Sequence, residues 1–258
     1  MEVNFYSYDE IFYQIFNKER KMMLYQYRKI DENLEQTIKH NKLKFSSPND
    51  FNDPYDCNGT IDCISSEKKN WANFQGIPIQ CVEQCLKNDP QFIEKAVREK
   101  LNKIGICCFS KCYDSILMWS HYAKYHTGIC LSFDTSKNQD FFHTIWHVKY
   151  SEMLPHFDFF ANNPEDIKEI IRTKFEDWSY ENEARIVKTE QNIKDNNYLR
   201  VFTFKNEALS GIIFGTKTSE ENKDEIKEWC AKSGKNVKFS QMQLKQGTYG
   251  LEKVDLTD

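Results

Sequence analysis

The chain has 258 residues, enough to bury a substantial core in one large domain or two small ones. Its 35 basic and 39 acidic residues give a net charge of −4 with no long block of one sign, which excludes the broad basic footprint of a general nucleic-acid binder. Aromatic residues make up 14 %, while Gly and Pro number only 9 and 6, which excludes a disordered or low-complexity chain.

The opening Met1-Glu2-Val3-Asn4-Phe5-Tyr6 lacks the basic-then-apolar order of a secretory signal. No apolar run approaches the roughly 20 residues of a membrane span, so the expectation is a cytoplasmic protein with no membrane partner. Ile11, Phe12, Ile15 and Phe16 stand at helical spacing and predict an amphipathic helix over 8–22. Alternating aromatics predict a strand over 23–28, followed by a helix over 32–40 and a strand over 42–45. The turn formers of 46–54 then force the backbone out of regular structure.

Residues 64–103 are polar with buried stripes at helical spacing, including Cys81, Cys85, Leu86, Ile93, Val97 and Leu101, and predict a helical insertion or cap. Strands are predicted over 105–109, 128–133 and 144–150, with a capped helix at 114–125 between the first two. A helix over 164–175 and a strand over 180–188 follow. The C-terminal part reads as strands over 198–204 and 209–214, a helix over 219–231 and a strand over 237–244. The predicted class is α+β, a single domain of 1–258 with a mixed, largely antiparallel, split sheet flanked by helices.

Nine cysteines, at 57, 63, 81, 85, 107, 108, 112, 130 and 230, fall mostly in predicted strands or helices and stay reduced in a cytoplasm. Cys81-x-x-x-Cys85 and Cys108-x-x-x-Cys112 lack the two-residue spacing and turn glycines of a zinc knuckle, so no metal is expected. His121 and His126, five apart, would not share a face of a helix, so they form no two-histidine metal site unless the helix ends between them, and each takes a structural role by default. Met118, Tyr122 and Tyr125 form one helical stripe, and Trp119 is either a stacking platform or a packed indole.

Two places suggest chemistry. If 180–188 is a strand, Glu181, Glu183 and Arg185 share a face, and mutual repulsion raises the proton affinity of one carboxylate. The alternative is a solvated strand face on which Arg185 neutralises a glutamate. Arg28, closing the first strand, suits bidentate capture of a phosphate or carboxylate, or is a surface arginine. Asp53 in Asn52-Asp53-Pro54 is a ligand or a turn cap. There is no Gly-rich phosphate loop, no GxSxG elbow and no HExxH.

Tyr25-x-Tyr27-Arg28, Phe45-Ser46-x-Pro48-x-x-Phe51-Asn52-Asp53-Pro54, Cys108-Phe109-Ser110, Met118-Trp119-x-His121-Tyr122-Ala123, His126-x-Gly128 and Trp178-x-x-Glu181-x-Glu183-x-Arg185 together resemble the bacterial family of domain of unknown function 2971. The resemblance runs over roughly 24–216 and ends at Ile213-Phe214-Gly215. Members of that family are similar to proteins found around phage-defence genes. A second resemblance is to ADP-ribosyltransferases of the Arg…Ser…Glu-x-Glu type, through Arg28, Ser110 and Glu181-x-Glu183 in that order.

This second resemblance implies that Arg28 holds dinucleotide phosphates or ribose and that Ser110 braces the nicotinamide side. Glu183 would stabilise the ribosyl cation and Glu181 would orient the acceptor, with Tyr27, Trp119, Tyr122 and Tyr125 lining an aromatic cleft and His121 beside it. NAD would be a substrate and no cofactor would be tightly bound. The acceptor would be water or a macromolecule, protein or nucleic acid, and the protein a defence effector or toxin. Departures are the Cys-Phe-Ser of 108–110 in place of Ser-Thr-Ser and the helical stretch of 64–103. A non-catalytic sensor or binding module is the competing expectation, and a metal-independent nuclease using His121 or His126 a third.

Overall fold

The computed structural model describes residues 22–62, 67–89, 91–161 and 163–256. The helix predicted over 8–22 lies outside them. In chain order come β1 (Met23–Arg28), α1 (Glu32–His40), β2 (Lys42–Lys44), β3 (Thr60–Asp62), α2 (Lys68–Phe74), α3 (Ile79–Asn88), α4 (Phe92–Leu101) and β4 (Gly105–Ser110). These are followed by α5 (Ile116–Tyr122), β5 (Ile129–Asp134), α6 (Gln139–Phe142), β6 (Ile145–His147), β7 (Lys149–Ser151), β8 (His156–Asp158), α7 (Pro164–Arg172) and β9 (Thr173–Phe175). The last are β10 (Glu183–Lys188), α8 (Glu190–Asp195), β11 (Val201–Thr203), β12 (Leu209–Phe214), α9 (Glu220–Lys232), β13 (Lys238–Leu244) and β14 (Leu251–Asp255).

An eight-stranded sheet in the order β14-β13-β12-β5-β1-β4-β10-β6 organises the chain. Only β12 and β13 within it run parallel, so the fold is α+β with a mixed, largely antiparallel sheet. β5 and β10 are buried along their whole length, as expected of strands with both faces covered. On one side Leu24, Phe45, Phe109, Phe133 and Phe214 pack with Ile226 and Trp229 of α9. A second cluster joins Trp71, Ile93 and Val97 of α2 and α4 to Phe157, Phe159 and Ile170. The predicted helical stretch of 64–103 is thus anchored on β8 and α7.

Local chemistry sets the helix ends. Asp31 accepts from the Leu34 amide at the start of α1, and Asn41, at φ 57°, stops it in the left-handed region. Ser115 and Ser219 cap α5 and α9 by accepting from Met118 and Asn222 amides. The segment predicted as one strand over 144–150 is two, β6 pairing β10 and β7 pairing β9. The strand predicted over 180–188 begins only at Glu183, because 176–181 coil into a 3-10 helix.

The sheet is split where it matters most. β1 pairs β5 over six positions and β10 pairs β4 over six, but β1 and β4 meet only at Tyr25 and Ser110. Beyond that pair the two strands part. The Gln26 amide donates to the Cys108 carbonyl at 3.2 Å, supplying by side chain one bond that the ladder no longer makes. Across β1, Tyr25 and Tyr27 alternate with Gln26 and Arg28, so residues from both of its faces reach the gap.

Gly128 precedes β5 under the end of β1, and a Cβ there would run into the Arg28 carbonyl and sit 2.9 Å from that of Ala123. Gly128→Ala should therefore cost about 2 kcal/mol through forced backbone displacement. Urea denaturation followed by tryptophan fluorescence should show a lower midpoint, whereas an unchanged midpoint would mean the backbone yields there freely.

Candidate functional site

The gap between β1 and β4 opens into a cleft of about 340 Å³. Residues 25–28 and 106–110 form its walls, with Phe51, Met118 and Tyr122 adding apolar surface. Register along β4 gives the cleft two ends. Glu183 lies opposite Ser110, whereas Ser46 bridges Ile106 through a reciprocal pair of 2.8 Å backbone bonds. Four residue steps of strand separate those rows, about 13 Å at the usual rise.

At the Ser110 end lies a buried charge cluster. Arg185 on β10 is completely buried, and its guanidinium has an acceptor for each of its five N–H groups. Nε and Nη2 donate to Glu183 at 2.8 and 3.0 Å, Nη1 and Nη2 to the two oxygens of Asp56 at 2.8 and 2.7 Å, and Nη1 also to the Ile171 carbonyl at 2.6 Å. Lys174 on β9 contacts Glu181 at 2.6 Å, Glu183 at 3.4 Å and Asp56 at 3.5 Å, and lies 4.9 Å from the Trp178 ring centre. The Tyr122 hydroxyl donates to the second Glu181 oxygen at 2.5 Å. Three carboxylates against two cations leave the cluster one formal negative charge.

Glu181 and Glu183 converge for a reason other than strand alternation. Glu181 ends the 3-10 helix, and Asn182, at φ 45° and ψ 52°, turns the chain through the left-handed region so that both carboxylates reach Lys174. Asparagine tolerates that conformation better than most residues. The Ser110 hydroxyl holds the turn by donating to the Glu181 carbonyl at 2.7 Å while accepting from the Cys112 amide. The Tyr150 hydroxyl accepts from the Glu183 amide at 2.8 Å.

The two glutamates titrate in opposite directions. Burial is the largest influence on Glu183 and pushes it up, but the charges of Arg185 and Lys174 override it and bring it down to about 2. Glu181 goes up, because burial and the neighbouring Glu183 outweigh the attraction of Lys174. Burial also lifts the Tyr122 phenol, reinforced by its bond to Glu181, so it remains a proton donor.

The other end is cationic. Arg28 donates to Gln26 Oε1 at 3.1 Å, and burial lowers its proton affinity against the weaker pull of Asp31. Lys44, on β2, lines the same end with Ser46, and Asn33 and Asn52 also border the cleft. Among the described residues neither Arg28 nor Lys44 forms an ion pair.

Six of the eight residues singled out from sequence, Tyr27, Arg28, Ser110, Tyr122, Glu181 and Glu183, line this cleft. Trp119 does not: it is fully buried, donates to the Tyr113 carbonyl at 2.8 Å and packs edge-on against Tyr27. Its indole is core, not a platform. His121 is exposed against Tyr180 outside the cleft, and Tyr125 is 76 % exposed. His126 stacks on Trp119 and meets the Ser120 hydroxyl, also away from the cleft. Asp53 serves its turn by accepting from the Tyr55 amide. Cys81 and Cys85 border a small pocket beside Trp71, while Cys108 borders the cleft, so the two cysteine pairs do not meet.

The alternative considered for 180–188 is corrected in one respect: β10 is buried throughout and so is no solvated face, while Arg185 does neutralise Glu183. Sequence reasoning passed over Asp56 and Lys174. Asp56 follows a run of turn formers whose composition already accounted for a loop, and Lys174 stood within a predicted helix. Neither carries a periodic signal.

Replacing Arg185 by Met should cost about 3–5 kcal/mol in chemical denaturation, because Asp56 and Glu183 would be left buried without their main counter-charge. Glu183, ordinarily at 4.5, is depressed in the folded state, so its pairing contributes stability that is full above about pH 4.5 and lost as pH falls toward 2. Glu181, being raised, has the opposite sign and offsets part of this. An acid titration of stability should show a net loss in that window that Glu183→Gln diminishes. An equal slope in wild type and variant would contradict the pairing.

Residues 118–186 match the model of a family described as Protein of unknown function (DUF2971). No curated protein and no solved structure matches the chain. The matched stretch covers part of the 24–216 span over which the motifs resemble that family, and leaves Arg28 and Asp56 outside. What is similar to that family is the segment from Met118 in α5 to Ile186 in β10, which carries Tyr122, Lys174, Glu181, Glu183 and Arg185.

Proposed function

We propose that this cleft consumes NAD, transferring ADP-ribose to a macromolecular acceptor, protein or nucleic acid, or to water. The carrying observation is that Arg28 and the Glu181–Glu183 pair line one cleft with opposite charge at its two ends. NAD has the matching polarity, an anionic diphosphate and a cationic nicotinamide ring. The adjacent strands β1, β4 and β10 supply Arg28, Ser110 and Glu183, so the three residues of the Arg…Ser…Glu-x-Glu pattern share one stretch of sheet.

The chemistry divides between the two glutamates. As the C1′–N bond to nicotinamide breaks, its electron pair leaves with the ring nitrogen and positive charge develops on the ribose. Glu183, kept ionised by Arg185 and Lys174, stabilises that charge. The acceptor hydroxyl then forms the new bond to C1′ and releases its proton to Glu181, whose raised proton affinity suits a base. Ser110 acts by fixing the Glu181 backbone. An enzyme of this kind serves as an effector or toxin by depleting NAD or marking an acceptor.

Purified protein incubated with NAD should release nicotinamide, and Glu183→Gln should reduce the rate by about 10²–10³-fold with the fold retained by circular dichroism. Folded wild-type protein that neither releases nicotinamide nor binds NAD, with and without cell lysate as acceptor source, would contradict the proposal in favour of a non-catalytic binding module.

A further inference from the structure

On the reading that the cleft takes NAD, we propose that Lys44 joins Arg28 to form a two-cation diphosphate seat at the Ile106 end. Three observations place the residues together. Ser46 is bonded to Ile106 in both directions, which pins the segment after β2 to the start of β4, and Lys44 lies two residues before it. Arg28 lies near enough to Cys107, one residue from that bridge, for their charges to act on each other, and both border the cleft. Both cations line the cleft, and β2 buries Leu43 while leaving Lys44 exposed.

The local charge balance favours an anion. Asp31, the carboxylate acting on Arg28, already accepts from the Leu34 amide and lies 3.5 Å from Lys29. Glu181, Glu183 and Asp56 stand at the far end, engaged with Lys174 and Arg185. Asn33, in the first turn of α1, adds an amide beside the positive end of that helix. Arg28 supplies a planar fork and Lys44 a mobile point charge, a combination suited to two phosphates in series. The seat would make phosphorylation of the substrate the selected feature, with the base at the other end of the nucleotide contributing less.

The test is ADP binding to the full chain by calorimetry. Lys44→Ala should weaken ADP about tenfold or more, Lys44→Arg should restore most of the loss, and weak binding of adenosine should be the same in all three proteins. In turnover, Lys44→Ala should raise the KM for NAD while leaving nicotinamide riboside, which has no phosphate, unaffected. Because Lys44 is exposed, the variants should fold as wild type does. Equal affinity of wild type and Lys44→Ala for ADP, or no ADP binding by wild type, would overturn the seat. ADP bound through Lys44 without NAD turnover would keep the seat and remove the transferase reading. NAD turnover indifferent to Lys44 would do the reverse.

Discussion

The completely buried guanidinium of Arg185 is the constraint on which the site depends. A charge with no access to water must have every donor matched, and its acceptors come from three places: Glu183 two residues earlier on β10, Asp56 in the loop after β2, and the Ile171 carbonyl near the end of α7. Asp56 lies 129 residues before Arg185, and the guanidinium ties its loop to β10 and to the end of α7. Such a cluster contributes little net stability compared with an apolar core of the same volume, but it tolerates few alternative arrangements. Lys174 extends the same logic to Glu181, and Tyr122 closes the remaining oxygen.

A second constraint is the parting of β1 from β4. Had the ladder continued past Tyr25 and Ser110, the gap would be filled with backbone bonds and no cleft would exist. Gln26 satisfies the Cys108 carbonyl and steadies Arg28, so the opening exists without leaving that carbonyl unpaired. The carboxylate cluster and the cationic end therefore face a common space without cancelling each other. Within the cluster, two glutamates two residues apart acquire different proton affinities because Arg185 forks onto Glu183 and, with Lys174, holds it down, whereas burial and the neighbouring Glu183 lift Glu181 against the pull of Lys174 and Tyr122. In the proposed transferase, that difference would suit them to different tasks.

Much of the framework was legible in the amino-acid pattern. The alternation in Met23–Arg28 and the capped amphipathic run of Glu32–His40 are local signals, and both elements form with those bounds. Arg28 and the Glu-x-Glu pair were visible as residue types. What brings them together was not. The left-handed turn at Asn182 makes Glu181 and Glu183 converge where a strand reading would place them by simple alternation. Asp56 and Lys174 owe their importance to tertiary pairing alone, and a turn-rich loop or a helix-like stretch conceals such residues. Trp119 illustrates the converse, an aromatic side chain suited to stacking whose position on the inner face of α5 consigns it to the core.

In the proposed reading, ligand enters where the sheet splits. Amide hydrogen exchange with and without a non-cleavable NAD analogue tests it most directly, since main-chain amides flanking the gap should slow when it is filled. Added protection is expected at 25–28 and 106–110. Analogue binding that leaves both segments unchanged, or that instead protects the apolar groove between Val97, Phe157 and Ile171, would contradict it.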